Sequence, residues 1–351
     1  MASAAGNANR VIRVAGPILL PAIAYGAYKG NALGLLESFF TGPGRTSRIV
    51  AIAVVLYNWK SLPLAWTFRV LGAMTEHLAF RSHHPHGPDK LFHPVITPSH
   101  VTLLEVDYNV HKSNSTYFAD LDVSRSHLVS HLFARGCANI ANNASTKLVT
   151  DPSDPSKPAK GRFGVMLGAV HCSFKKELQP YQKYEMWSRV LSWDRKWMYI
   201  VTHFVEKGAV KPRSWDASSF GPTRKAEGRP EDWEKKIHAT AISKYVFKVG
   251  RLTVHPAILI EASGLLPERP GGWVSLENGM APPSHVVTGG AISEALIETE
   301  SESESADWDW KRTEELRQKG HELAENFAAL DGLQSHFDGG EDGALGIFGL
   351  S

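Results

Sequence analysis

Between residues 107 and 117 the chain sets an acid, an amide and an imidazole at alternate positions, Asp107, Asn109 and His111, and opens a helix directly after them. If residues 101–111 run as a strand, side chains two apart share a face, so these three groups point the same way. Asn114, Ser115 and Thr116 supply helix-capping chemistry. Phe118, Leu121, Leu128 and Leu132 then recur at the spacing of one helical face over residues 117–136, with Gly136 as the stop. An apolar helix starting beside a polar cluster has to be buried against something else in the chain. Its first backbone N–H groups lack intrahelical partners and can polarise a carbonyl oxygen or hold an anion. An isolated Asp–His pair would instead cap a turn.

What the helix packs on is written downstream. Strands are expected at 163–174, 184–194, 197–206 and 239–247, rich in β-branched and aromatic residues and separated by turn formers. In the second of these, alternation places Trp187, Leu191 and Trp193 on one face. The segment 138–160, with Asp151-Pro152-Ser153-Asp154-Pro155, is too rich in turn formers for regular structure, and 211–236 is a polar insertion. Residues 254–266 continue the sheet or form a short helix.

The pattern Asp-x-Asn-x-His-x-x-Asn-x-x-Tyr from Asp107 to Tyr117 resembles the signature of the hotdog-fold thioesterases, in particular relatives of acyl-ACP and 4-hydroxybenzoyl-CoA thioesterases. A second block, Tyr184 to Ile200, is similar to the strand-turn-strand of membrane-anchored eukaryotic members. The resemblance implies an α+β hotdog fold, an antiparallel sheet wrapped around one central helix, as a homodimer that cleaves acyl thioesters. It implies Asp107 as the acid residue, Asn109 positioning it or the water, and His111 orienting the site or exchanging protons. Asn114, Ser115, Thr116 and Tyr117 would line the substrate at the helix start. A carboxylate so placed acts either as general base toward water or as the nucleophile at the thioester carbonyl. The chain departs from many relatives in reading Ser113-Asn114 where they carry an asparagine pair, and in lacking a match to an acidic residue that some add later. A non-catalytic hotdog protein that binds acyl groups, or acts as a scaffold at a membrane, is the alternative class.

The division expected is an N-terminal hydrophobic, membrane-anchoring segment (1–76), a His/Pro-rich linker (77–99), the hotdog domain (100–267) and a C-terminal extension with an acidic linker and a helix (268–351). Val11–Tyr28 and Ile49–Phe68 are the apolar stretches that make a membrane the expected partner. Basic residues on every side leave their orientation open. His83, His84, His86, His93 and His100 lie among prolines that prevent a shared helical face, so the linker reads as an extended tether, and no cofactor or metal site is expected. A net charge of +2 over 351 residues makes no global case for a nucleic-acid partner. Two cysteines, Cys137 and Cys172, cannot build a disulfide framework, which points to a reducing, intracellular setting.

Overall fold

The computed structural model describes residues 25, 28–80, 86–212, 233–274 and 308–336. Helices α1 (Ala32–Thr41), α2 (Arg45–Tyr57) and α3 (Ala65–Thr75) come first, and a π-helical turn (Glu76–Phe80) extends α3. Strand β1 (Val95–His100) passes through a 3-10 turn (Leu103–Glu105) and the motif segment into the central helix α4 (Thr116–Leu132), followed by α5 (Ala134–Ala141) and the short α6 (Asn143–Thr146). A small hairpin, β2 (Thr150–Asp151) and β3 (Asp154–Pro158), precedes the long strands β4 (Phe163–Phe174), β5 (Lys183–Trp193), β6 (Trp197–Glu206) and β7 (Ile237–Val249), with β8 (Leu252–Val254) closing the run. Helices α7 (Pro256–Ala262) and α8 (Trp310–Ala328) complete the described chain.

The main sheet is antiparallel in the order β1-β5-β6-β7-β4, with β8 on β7. Its inner face wraps α4: Leu128 and Leu132 pack with Val190, Trp193, Ile200 and Phe247, while Tyr117 and Leu121 pack with Met186 and Phe204. Each such side chain contributes about 1.5–3 kcal/mol when withdrawn from water. Polar groups share this inner surface. The hydroxyls of Ser124, Ser188 and Thr202 form a chain at 2.8 and 2.7 Å, and Arg125 donates to Ser243 at 2.5 Å and to Asp122. The outer face carries α8, where Leu191, Tyr199 and Val201 meet Ala324 and Phe327.

Several expectations change. Residues 101–111 are not a strand: β1 ends at His100, and Thr102 and Glu105 form a capping box that starts the 3-10 turn. The first strand thus lies within the stretch expected to be a tether, with Leu91 and Phe92 buried in the core, and Pro98 is tolerated because β1 is an edge. The segment 138–160 is partly regular, since α5 continues to Ala141 and Asn143 fixes the hairpin base through Val149 and Ala159. Trp187, Leu191 and Trp193 do not share a face. A bulge between Val190 and Ser192 sends Leu191 under α8 and turns Trp193 inward. Phe118 lies outside the buried stripe of α4 at 37% exposure. Segment 254–266 resolves into the end of β8 and α7, capped by His255. The expected first apolar stretch up to residue 24, His83 and His84, most of the 211–236 insertion, and the acidic run from Glu298 to Asp307 lie outside the described residues.

Candidate active site

The Asp107–His111 segment is a tight hairpin turn at the surface, a few residues before α4. Val106 bridges to Lys112, the Asp107 N–H donates to the His111 carbonyl at 3.0 Å, and the Val110 N–H donates back to the Asp107 carbonyl at 3.0 Å. Val110 closes the turn with φ of 62°, a left-handed conformation that a β-branched residue adopts only at a cost. The Asp107 carboxylate accepts the Asn109 N–H at 2.9 Å through Oδ1, so it caps the turn it sits on. His111 Nδ1 stands 3.7 Å from the same oxygen, short of a hydrogen bond, and is shielded with no hydrogen-bond partner. The turn therefore brings acid and imidazole together by a route different from the strand face expected. The Asn109 side chain, exposed at the tip, is turned to solvent.

Of the residues expected to line substrate, Asn114 and Ser115 are exposed at the start of α4, and Thr116 is half-buried. The amides of Thr116 and Tyr117 are already engaged, donating to Ser113 and Asn114 carbonyls at 3.0 and 3.4 Å. That places any carbonyl-polarising role on the amides of Asn114 and Ser115. Tyr117 does not line an open site. It is 2% exposed, its ring edge-on to Phe174 and Phe204 with the Lys112 ammonium over it, and burial raises its hydroxyl pKa far above the usual value.

Beneath the turn lies a group of charges absent from the sequence reading. Asp120, one turn into α4 and fully buried, receives Lys112 at 2.9 Å, Arg69 at 2.8 Å, Lys60 at 3.2 Å and the Tyr184 hydroxyl at 2.5 Å. Glu105 accepts Lys60 and Lys112, each at 2.9 Å, and the Thr102 amide. Burial alone would raise the Asp120 pKa, but Lys112, Lys60 and Arg69 outweigh it and hold the carboxyl well below the usual range. Lys112 directly follows His111 and is pinned at both ends of this network, so the charges below fix the stem of the turn above. Two sequence signals could have found it: the capping box Thr102-x-x-Glu105, and Lys60 interrupting an otherwise apolar stretch. The cysteines offer no competing nucleophile, because burial pushes the thiols of Cys137 and Cys172 up to about 12 and about 11.

A family model described as the thioesterase-like superfamily matches residues 101–243, from just after β1 into the middle of β7. Thioesterase poxG of Penicillium oxalicum is 35% identical over 322 residues, covering 90% of this chain and 94% of the relative. The probable thioesterase atnL of Emericella nidulans is 33% identical over 304 residues, covering 85% and 90%. Among solved structures, the probable thioesterase YbaW of Escherichia coli is 12% identical, covering 48% of this chain and 96% of its own at a TM-score of 0.29. With one central helix inside an antiparallel sheet, and with relatives matching nearly end to end, the chain belongs to the thioesterase-like superfamily and is a thioester hydrolase of the hotdog fold.

Proposed function

We propose that the Asp107–His111 turn is the catalytic centre, and that it hydrolyses acyl-CoA or carrier-bound acyl thioesters presented at a membrane surface. The observation that carries the catalytic part is the partly exposed Asp107 carboxylate, 3.7 Å from His111 Nδ1 and beside the opening of α4. Asp107 Oδ1 holds the turn; among the described contacts Oδ2 is not engaged and would act as base toward water or as nucleophile. Catalytic hydrogen bonds often tighten only when substrate is bound, which suits the long Asp107–His111 separation. Amides of Asn114 and Ser115 would take the developing oxyanion, a contribution of about 2–4 kcal/mol where such donors have been removed.

The membrane part rests on exposed apolar surface. Among the described residues no helix is long and apolar enough to cross a membrane. Yet α2 buries none of its residues, and Leu33, Leu36, Val50, Val54, Leu56 and Trp59 are all exposed along α1, α2 and the turn beyond. Short helices of this kind suit lying in the interface rather than spanning it. Residues 28–75 hold one carboxylate, Glu37, whereas Lys29 and Arg45 are exposed toward anionic lipid and Arg48 donates to the Ser38 and Gly42 carbonyls. This surface is tied to the segment before the turn, where the Leu104 N–H donates to Asn58 Oδ1 at 3.1 Å, and Leu104, Val110 and Tyr108, the last 93% exposed, add exposed apolar groups there. An acyl chain leaving the bilayer would meet the turn first.

Homodimerisation through β4 completes the proposal. Among the described residues this 12-residue strand pairs only with β7, exposing Met166, Leu167 and Phe174, while α8 lies over β5 rather than over that edge. Thiol release measured on full-length protein across acyl-CoA chain lengths, with and without anionic vesicles, tests the whole reading. Faster turnover of long chains on vesicles is expected; no thiol release from any acyl-CoA or acyl carrier would overturn it.

A further inference from the structure

Along the C-terminal half of α4, four imidazoles from three parts of the chain meet. His77 lies in the π-helical turn, His127 and His131 sit four residues apart on α4, and His86 stands just before β1. The His77 Nε2 and His127 Nδ1 are 3.0 Å apart; the ring centroids of His77 and His131 are 5.0 Å apart, and those of His86 and His131 are 4.8 Å apart. Glu76 brings a carboxylate into the same place. One ligand atom from each of Glu76, His77 and His127 lies within 4.8 Å of the others.

We propose that this is a binding site for a divalent transition metal of the zinc class, held by His77, His127 and Glu76 with His131 next to them. The donors are imidazole and carboxylate with no thiolate, the set that suits zinc, copper or nickel over magnesium or calcium. A tetrahedral zinc with bonds of about 2.0–2.1 Å spaces its ligand atoms about 3.4 Å apart, so only small side-chain rotations are needed. Histidines four apart on a helix share one face, which makes His127 and His131 a ready pair from a single element. The π-helical turn belongs to the argument as well, since such single-turn distortions recur at functional sites and this one sets Glu76 and His77 side by side against α4.

The site is structural rather than catalytic. His127 lies seven residues beyond Asp120, about 10 Å further along the helix axis from the turn that carries Asp107. A metal there joins the end of the N-terminal helical layer to the central helix, on the same face of α4 as the Asp120 ion pairs made by Lys60 and Arg69 and about two turns beyond them. Among the described residues, the His/Pro-rich segment 77–99 supplies His77 and His86 to this group. His77 and His127 come from positions 50 residues apart, which no spacing pattern in the chain links.

The test uses tag-free, full-length protein in detergent, stripped with chelator and titrated with cobalt(II) and then zinc(II). We expect one cobalt per chain with a visible ligand-field spectrum, displacement by zinc, and a thermal midpoint about 5 °C or more higher when zinc is well above its Kd. His127→Asn and His77→Gln should each weaken binding at least 100-fold without changing basal thiol release. His171→Asn, an exposed histidine on β4, should not change it. Failure of stripped wild-type protein to bind stoichiometrically, or unchanged affinity in folded His127→Asn and His77→Gln variants, would overturn the site. Should those variants not fold, X-ray absorption on zinc-loaded wild type decides: at least two imidazoles around the metal support the site, and a sulfur or all-oxygen environment refutes it.

Discussion

Replacing Asp120 by asparagine removes one of two carboxylates from a buried group that also holds Lys60, Lys112 and Arg69. The group carries a net charge of +1 with Asp120 ionised and +2 without it. Asparagine keeps the volume and can still accept from Tyr184, so the change isolates the charge. Removing one partner of a buried pair costs about 3–5 kcal/mol. The lower end applies here, because burial already lowers the Lys60 pKa and the uncompensated ammonium can shed its proton. A loss of about 3 kcal/mol corresponds to a fall of about 6–12 °C in thermal midpoint at about 2–4 °C per kcal/mol. The pH dependence gives the second reading. The Asp120 carboxyl is depressed in the folded state, so its contribution is complete above the unfolded value of about 3.9 and is lost only as pH falls through the folded value below that. The gap between wild type and Asp120→Asn should therefore be the same at pH 7 and pH 5 and close only under stronger acid. Thermal melts by circular dichroism across this range measure it. A midpoint within 2 °C of wild type, or a gap already closed at pH 5, would refute the idea that this network pins the turn.

Deleting residues 1–57 should release the protein from sedimenting membranes while leaving a folded, active domain, whereas deleting 1–76 should also destabilise it, because that cut removes Lys60 and Arg69 from Asp120; equal midpoints for the two truncations would contradict this. Gly320→Ala should undock α8, since a Cβ there would lie 2.0 Å from the Leu191 carbonyl oxygen; faster proteolysis of the C-terminal segment with β-sheet content preserved is the expected signature, and a wild-type digestion pattern would rule it out. His255 is held near 4 by burial and accepts the Ala257 N–H, so as pH falls from about 6.5 to 4 the unfolded chain takes up a proton that the folded one refuses, and stability drops. His255→Asn keeps the cap acceptor and should flatten that loss in chemical denaturation; an unchanged slope would count against the assignment.

The strands β4 to β7 and the helices α4 and α8 could be read from their composition and helical spacing, because their apolar residues are buried where the sheet meets α4 on its inner face and α8 on its outer face. Three features resisted for physical reasons. The bulge at Leu191 inserts one residue and reverses which side chains face inward, which no fixed period anticipates. The inner surface of α4 carries Asp120, Ser124 and Arg125, polar residues that look solvent-facing until Lys112, Ser188 and Ser243 from distant strands and turns satisfy them. Lys60 and Arg69 were hidden in stretches that read as membrane-embedded, although their charged ends reach back to the domain. Asp107, Asn109 and His111 were singled out together; Asp107 and His111 do lie close to each other, while the Asn109 side chain is exposed. The acid and the imidazole meet on a turn closed by a strained Val110 rather than along a strand, because Thr102 and Glu105 end the extended run early.

The most direct measurement of the central claim is the turnover of Asp107→Asn, assayed as thiol release from a long-chain acyl-CoA. The turn should survive, since an asparagine oxygen can still accept the Asn109 N–H, and a surface change of this kind should leave the thermal midpoint nearly unmoved. The account predicts a loss of at least about 100-fold in kcat with the fold intact. Undiminished turnover in a variant that melts like wild type would remove Asp107 as base and nucleophile, and with it the assignment of the turn as the catalytic centre.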